Sequence, residues 1–456
     1  MRRSAETYDQ RLERTALKPI TETSRAYYTL VLFLLAVVGW GAYAFVVQLR
    51  YGLIATGMRN VVLWGLYLVN FVFFIGISHA GTLISAILRV TNAKWRTPIT
   101  RMAELITVVA ISIGALMPII DMGRIDRVWE MFVYGRFQSP LLWDIISIIS
   151  YLSGSLIYFY LPSMPDFALM RDRLGQGSSG FKRKLYTILA AGWKGTTEQH
   201  RRLEKGIGIM ALTIIPVAVS VHTVVSYVFS MTLRPGWDST VFGIYFVIGA
   251  IFSGIASIII VMAIFRKIYH LEEYITEKHF RNLGYLLLTS LLLYFYLTVG
   301  EYLTVGYKMQ ETEKSLLSLL FVGSNAVWFW IFWVGGMLVP AALILWRKGP
   351  IVTKLVVAGI LVNIGMWLKR FVIIIPTLQV PLMPFEFGAY RPSWVEWSIT
   401  LGAFAAFVLI FALAAKFLPL ISIWEVKEET EKEHEREHQP ETETGRGLSA
   451  APQLRR

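Results

Sequence analysis

Gly243-Ile-Tyr-Phe-Val-Ile-Gly-Ala-Ile-Phe-Ser-Gly-Ile-Ala-Ser-Ile-Ile-Ile-Val-Met-Ala-Ile264 runs for 22 residues without a charged side chain. A helix needs about 20 mainly apolar residues to cross a bilayer's hydrocarbon layer, so this stretch is long enough to span. Barrel strands alternate polar and apolar residues over about ten positions, and this run does not. Lipid supplies no partners for open backbone groups, which leaves the helix. Working outward, ten segments of this kind appear, at about 27–49, 62–88, 101–120, 141–162, 206–231, 241–265, 283–307, 316–346, 352–376 and 396–418. The fold class is an all-α integral membrane protein with ten transmembrane helices.

Composition agrees. Of 456 residues, 55% are apolar and 16% charged, with mean hydropathy +0.54. Soluble chains are roughly a quarter charged, so soluble, disordered and collagen-like classes are excluded. The absence of cysteine rules out thiolate metal sites, self-held iron–sulfur clusters and thioether-linked haem. The net charge of +13 suggests nucleic acid until the positions of the cations are read. Counted by connection, 33 Lys and Arg fall on the two ends and the even-side loops, and 9 on the alternate loops. By the positive-inside rule both termini are cytoplasmic and loops such as 121–140 face outward. The cations therefore follow membrane orientation, and no nucleic-acid partner is expected. The charged first 25 residues show no removable signal peptide.

The chain divides into a cytoplasmic segment 1–26, a peripheral first span with its outer loop 27–61, and a first unit 62–231 of spans two to five that includes a basic cytoplasmic loop 163–205. A second unit 232–376 holds spans six to nine. An outer loop and the peripheral tenth span cover 377–424, and a charged tail 425–456 is expected to be disordered. In the basic loop Phe181, Leu185, Ile188 and Leu189 form an apolar stripe beside Lys182, Arg183 and Lys184. That fits a helix on the anionic inner leaflet or a partner, or one packed on its own bundle. His434 and His438 in the tail read as part of a solvated charged run.

Polar and ionisable groups inside a bilayer mark function or pairing. Here they are Tyr67, Asn70 and His79 in span two, Glu104 in three, His222 in five, Glu301 in seven, Asn325 in eight, and Lys369 with Arg370 in nine. Asp121, Arg124, Trp143 and Asp144 stand at the outer rim, and Asp166 at the inner. Tyr67, Asn70, Asp121, Asp144 and His222 are expected to converge at one outer-leaflet level. Such a cluster suits quinol oxidation, which removes two electrons and two protons and needs proton acceptors beside a flat apolar slot. Asp121 and His222 are the candidate acceptors; Tyr67, Asn70, His79, Arg124, Trp143 and Asp144 are candidate quinol-binding groups. An ion pair of Asp121 with Arg124 and a core role for His222 are the bland alternatives.

His79 and His222 as axial haem ligands would need equal depth. Counting from the span ends separates them by nine residues, about 13 Å, which argues against haem. His79, Glu104 and Asp166 form a candidate proton route from the interior, set against simple inner-rim polarity. Glu301 lies level with Lys369 and Arg370, which predicts a buried pair with Asn325 nearby, structural or proton-conducting.

The stretch Trp64-Gly-Leu-Tyr67-Leu-Val-Asn70-Phe-Val-Phe-Phe-Ile-Gly76-Ile-Ser-His79-Ala-Gly-Thr-Leu-Ile-Ser-Ala-Ile resembles the opening helix of the NrfD/polysulfide-reductase membrane-subunit family. With ten spans and the basic loop after Pro162-Ser-Met-Pro-Asp166, it is most similar to the ActC type of subunit in bacterial alternative complex III. The resemblance covers about residues 25–420. It implies two four-helix bundles, spans two to five and six to nine, flanked by two peripheral helices. It also implies a quinol, menaquinol or ubiquinol, bound near the periplasmic face, and no redox cofactor held by the chain itself. Electrons would pass to an iron–sulfur/molybdopterin-like subunit and on to multihaem cytochrome c subunits, with a second NrfD-like membrane subunit alongside. The resemblance carries a proposed proton translocation as well. Some relatives carry Asn and His where Tyr67 and Asn70 stand here, which leaves the quinone's direct partners open. A secondary transporter or ion channel is the competing class. Its usual broken mid-span helices are matched here only by mild interruptions at Pro216 and Gly254. A silent scaffold is the third.

Overall fold

The computed structural model describes residues 8–174, 180–383 and 386–438. Ten helices in it are long and apolar enough to span a bilayer. They are α1 (Arg25–Tyr51), α2 (Leu66–Val90), α3 (Thr97–Asp121), α4 (Pro140–Leu174), α5 (Thr197–Ser230), α6 (Phe242–Tyr269), α7 (Glu277–Lys308), α8 (Ala326–Leu345), α9 (Ile351–Gln379) and α10 (Trp394–Ala414). No β-strand occurs among the described residues.

Starts are fixed by capping. The Ser24 hydroxyl accepts the Tyr27 N–H at 3.2 Å, Thr196 and Gln199 form a capping box on α5, and Ser393 with Glu396 forms one on α10. Each satisfies donors that the first helical turn leaves open.

Helices α2 to α5 pack together as one bundle and α6 to α9 as another. Helix α2 joins them, touching α6 and α9 as well as its own bundle, and is buried along nearly its whole length. Helices α1 and α10 pair outside the bundles and lean on α2 and α3 through α10. Their contact needs small residues: a Cβ on Gly41 would lie 3.0 Å from the Gly402 Cα. The same device closes α8 on α9, where a Cβ on Gly336 would lie 2.7 Å from the Gly365 Cα. Between helices in lipid, such close backbone approach supplies the packing that the hydrophobic effect cannot.

Several sequence expectations need correction. Span two begins at Leu66 rather than 62. Span eight begins at Ala326, because Glu311–Phe321 is a separate helix; Asn325 therefore stands at the mouth of a span and not inside it. Helix α4 continues past Pro162 and Pro165 to Leu174, so residues 163–174 are no loop. The carbonyl of Pro162 accepts from Arg101 Nη2 and Trp424 Nε1, both at 2.8 Å. In the helix Gly180–Leu189 the buried face is set by Tyr186, whose hydroxyl donates to the Phe417 carbonyl at 3.2 Å. Phe181 and Ile188 of the expected stripe point outward.

The charged tail also begins in order, as the helix Ile423–His438. Its charge, which suggested disorder, is what docks it. Glu425 pairs with Arg89 and, at 3.7 Å, with Arg96. Glu13 of the helix Tyr8–Thr21 holds Lys427 at 2.5 Å and Arg173 at 3.1 Å. The side chains of His434 and His438, and residues 439–456, lie outside what is described.

Overpacking a closed helix contact costs about 1–3 kcal/mol. Gly365→Val should therefore lower the thermal unfolding temperature of the detergent-solubilised protein, whereas Gly300→Val, with open space at its Cβ, should not.

Candidate functional site

Helix α2 carries most of the polar groups, and its two sides serve different neighbours. At 100° per residue, nine steps turn Asn70 and His79 to opposite faces. Tyr67 donates its hydroxyl to Gln48 Oε1 of α1 at 2.6 Å, and Gln48 Nε2 donates to the Ile120 carbonyl at 2.8 Å. Asn70 Nδ2 donates to Thr400 of α10 at 2.8 Å, while Asn70 Oδ1 accepts from Trp367 Nε1 of α9 at 2.9 Å. These two side chains face the peripheral pair and the second bundle. The expected single cluster with His222 is therefore split in two.

The first group sits at the end of the molecule away from the terminal helices. Glu396 is fully buried and accepts the N–H groups of Gly57 at 2.6 Å and Ser393 at 2.9 Å, together with the Tyr390 hydroxyl. Tyr390 in turn accepts the Leu66 N–H at 2.9 Å, which starts α2. Burial first, and then the Glu396 carboxylate, push the Tyr390 phenol far above its ordinary value, so it stays protonated and donating. Asp121 lies beside this group, within electrostatic reach of Tyr67, and its buried Oδ1 has no partner. Asp144, at the start of α4, likewise has an unpaired buried Oδ1.

Two rim residues do not join. Arg124 is exposed and pairs with Asp126 at 2.8 Å, since the three-residue turn after α3 carries it into solvent. That also removes it as the partner of Asp121. Trp143 Nε1 donates to the Phe137 carbonyl of its own loop.

The second group is interior. The rings of His79 and His222 lie 4.3 Å apart, and Tyr151 stacks on His79 at 4.4 Å. Counting residues separated these histidines by about 13 Å. Moving the start of α2 to residue 66 removes four residues, about 6 Å, and stagger of the helices closes the rest. As packed, the rings are too close to share an iron between them, since two metal–nitrogen bonds alone need about 4 Å before the ring radii are added. His79 Nδ1 bonds the Ile75 carbonyl at 2.6 Å, whereas His79 Nε2 and both nitrogens of His222 have no partner.

A hydroxyl ladder leads from these rings toward the terminal-helix end. Ser78, Thr82 and Ser85 share one face of α2. The hydroxyls of Thr107 and Tyr151 donate to the Ser78 carbonyl at 2.7 and 3.0 Å. Ser85 donates to Glu104 Oε1 at 2.8 Å and meets the Tyr158 hydroxyl at 3.1 Å. Glu104 Oε2 is unpaired. Beyond it Arg101 and Asp166 pair at 2.9 Å, both almost wholly buried. Arg101 thus belongs to the interior of α3, not to a loop.

In the second bundle Lys369 donates to Glu301 at 3.1 Å and to the Tyr302 hydroxyl at 3.0 Å, and its ammonium faces the rings of Tyr245, Tyr302 and Phe332. Phe332 lies on a π-helical stretch of α8, Ile331–Leu338. Arg370 turns the other way, with Nη1 bonded to its own Met366 carbonyl at 3.2 Å. Among the described residues it has no carboxylate within 4.0 Å. A Cβ on Gly76 of α2 would lie 3.3 Å from its Nη2, so Arg370 reaches across the seam into the first bundle. Asn325 bonds Gln379 at 2.7 Å and is not part of this pair.

Reading the residues alone missed Gln48, Arg101, Tyr390 and Glu396. The signal for Glu396 was present as Ser393-x-x-Glu396, a helix start, but that pattern does not show that the same carboxylate ties down two other segments.

Ten spanning helices in two bundles, with buried and partly unpaired polar groups, define a polytopic membrane protein. The family model for polysulphide reductase, NrfD, matches residues 54–381, and the chain belongs to that family. It is 26% identical over 421 residues to a subunit of the selenate reductase of Mesobacillus selenatarsenatis, covering 87% of this chain and 95% of that one. It is 25% identical over 434 residues to the Hdr-like menaquinol oxidoreductase integral membrane subunit of Archaeoglobus fulgidus, covering 91% and 99%. It is 24% identical over 401 residues to the menaquinone reductase integral membrane subunit of Nitratidesulfovibrio vulgaris, covering 85% and 90%.

Removing one member of a buried ion pair typically costs about 3–5 kcal/mol, while replacing both can be neutral. Lys369→Met should strongly lower thermal stability, and Lys369→Met with Glu301→Gln should recover much of it. At the other end, burial opposes the charge of Glu425, but Arg89, Arg96 and Arg101 outweigh it and hold the carboxyl below its ordinary range. A lowered carboxyl stabilises the docked tail above the unfolded value of about 4.3. That gain is lost as pH falls through the lower folded value. Amide exchange across 423–438, corrected for intrinsic rates, should be unchanged from pH 6 to 8. It should quicken in E425Q and in acid.

Proposed function

We propose that this chain is the quinol-binding membrane subunit of a multi-subunit quinol:electron-acceptor oxidoreductase of the alternative complex III type. The basic, terminal-helix end faces the cytoplasm of a bacterial inner membrane, and a menaquinol or ubiquinol is oxidised in the first bundle toward the periplasmic side. The relatives' names support a quinone-linked role. The observation that carries the site is His222, fully buried with both ring nitrogens unpaired beside the free Nε2 of His79. Native interiors rarely leave buried nitrogens without partners, and a quinol hydroxyl is a suitable one.

In this reading His222 accepts a proton as the ring loses two electrons, with His79 beside it. Tyr67 and His79 stand 12 residues apart on α2, about 18 Å, so Asp121 with Tyr67 and Asp144 acts as a separate outer group that takes the second proton on its way to the periplasmic side. Asn70 supports the helix that holds the site. The electrons leave through an iron–sulfur/molybdopterin-like partner and multihaem cytochromes c, with a second NrfD-like subunit alongside, and the chain needs no redox group of its own. The hydroxyl ladder from His79 through Ser78 and Ser85 to Glu104 and Asp166 is a route for proton exchange with the opposite face. The Glu301–Lys369 pair and Arg370 are candidates for coupling it. The transporter reading has less support: none of the ten spans is interrupted by non-helical backbone, and α8 only widens into π turns.

Loss of a positioned base costs about 10²–10⁴-fold in rate. Asp121→Asn and His222→Ala should each lower quinol oxidation by the purified complex at least about 100-fold while all subunits still co-purify. Undiminished turnover in both variants would reject the assignment.

A further inference from the structure

A cleft of about 810 Å³ opens at the basic end of the second bundle, between the first turns of α7, the last turn of α8 and the start of α9. Its lining includes Arg281, Arg347 and Lys354, with Glu277 as the one carboxylate. None of the three cations has a carboxylate within 4.0 Å among the described residues. Lys354 Nζ is fixed by donating to the Trp346 carbonyl at 2.5 Å, a neutral acceptor that leaves its charge uncompensated. The walls below are apolar, with Leu288 and Leu355, and Tyr285 and Trp346 stand more than 60% exposed at the mouth.

This is the level at which two spans leave the hydrocarbon, where aromatic rings settle at the headgroups. Three uncompensated cations around a hollow with an apolar wall need an anion that is itself attached to something apolar. Charge-assisted bonds to phosphate oxygens satisfy the first requirement, and acyl chains along Tyr285 and Leu288 satisfy the second. We propose that this cleft seats the phosphate headgroup of an anionic phospholipid, as a built lipid site rather than part of the general annulus. Basic pockets between spanning helices bind such headgroups in other proteins. The inference is independent of the quinol reading, since it uses only the bilayer and the cleft.

Native mass spectrometry of the intact complex, released from nanodiscs of phosphatidylglycerol or of phosphatidylcholine, reads the retained lipid directly. Phosphatidylglycerol should be retained in preference to phosphatidylcholine. Arg281→Gln with Lys354→Gln should weaken that retention about tenfold or more. Lys348→Gln, which does not line the cleft, should leave it unchanged. Leu288→Trp fills the hollow with the cations intact and should also weaken retention, and it carries the test if the double variant does not assemble. Equal retention in the wild type and both cleft variants overturns the proposal. So does an equal loss in Lys348→Gln, which indicates diffuse surface charge. Full displacement by excess inorganic phosphate also overturns it, because the site then takes free phosphate and not lipid.

Discussion

Hydrocarbon offers no hydrogen bonds, so a polar atom placed within it must find its partner inside the protein, and α2 shows how far that requirement shapes this molecule. Because α2 touches helices on every side, each of its faces can carry a different polar group without meeting lipid. One face gives Tyr67 and Asn70 to α1, α9 and α10. Another gives Ser78, His79 and Ser85 to the first bundle. At Gly76 the missing side chain admits Arg370 from the second bundle. A helix with a lipid-facing side would have room for one such set only. Its mean composition is nevertheless that of an ordinary span, because the polar residues are small or neutral.

Pairing separates the buried charges into two kinds. Lys369 is saturated: one carboxylate, one phenol and three aromatic faces surround it. Beside Glu301 and Tyr302 there is a cavity of only about 20 Å³, room for one water. Asp166 and Arg101 also pair, at 2.9 Å, although Arg101 Nη1 has no partner. Asp121, Asp144, His79 and His222 each keep an atom unmatched. In a low-dielectric interior an unmatched atom is costly, so these four positions, like Glu104, are places where the fold forgoes stability.

Spans were legible in the sequence because hydropathy adds over some twenty positions, and an error at one end changes little. The run 243–264 alone decides its helix. Depth and facing are different quantities, and small end errors mislead them. Four residues of misplaced start on α2 contributed about 6 Å to the apparent separation of His79 and His222, which are in contact. Facing was readable for Asn70 and His79 from the helical repeat, but the neighbour met by each face was not, since that depends on bundle order. Glu396 and Gln48 were obscured because each is explained by a local rule, a helix cap and a span end. Arg101 was obscured by its place in a run of loop cations. The tail from 425 looked self-repelling alone; only the arginines of other segments make it a docked helix.

The pairing of α1 with α10 joins the first span of the chain to the last. Gly41 meets Gly402, and Trp40 Nε1 bonds Ser398 at 2.8 Å, while Lys416 holds the carbonyls of Pro19 and Glu22. During synthesis α1 enters the bilayer with its final neighbour still some 340 residues from being made. Until α10 arrives, the polar edge of α2 at Tyr67 and Asn70 lacks part of its cover. Membrane insertion therefore ends with a clasp, and a nascent chain stopped before residue 394 would carry an open seam that quality-control proteases can recognise.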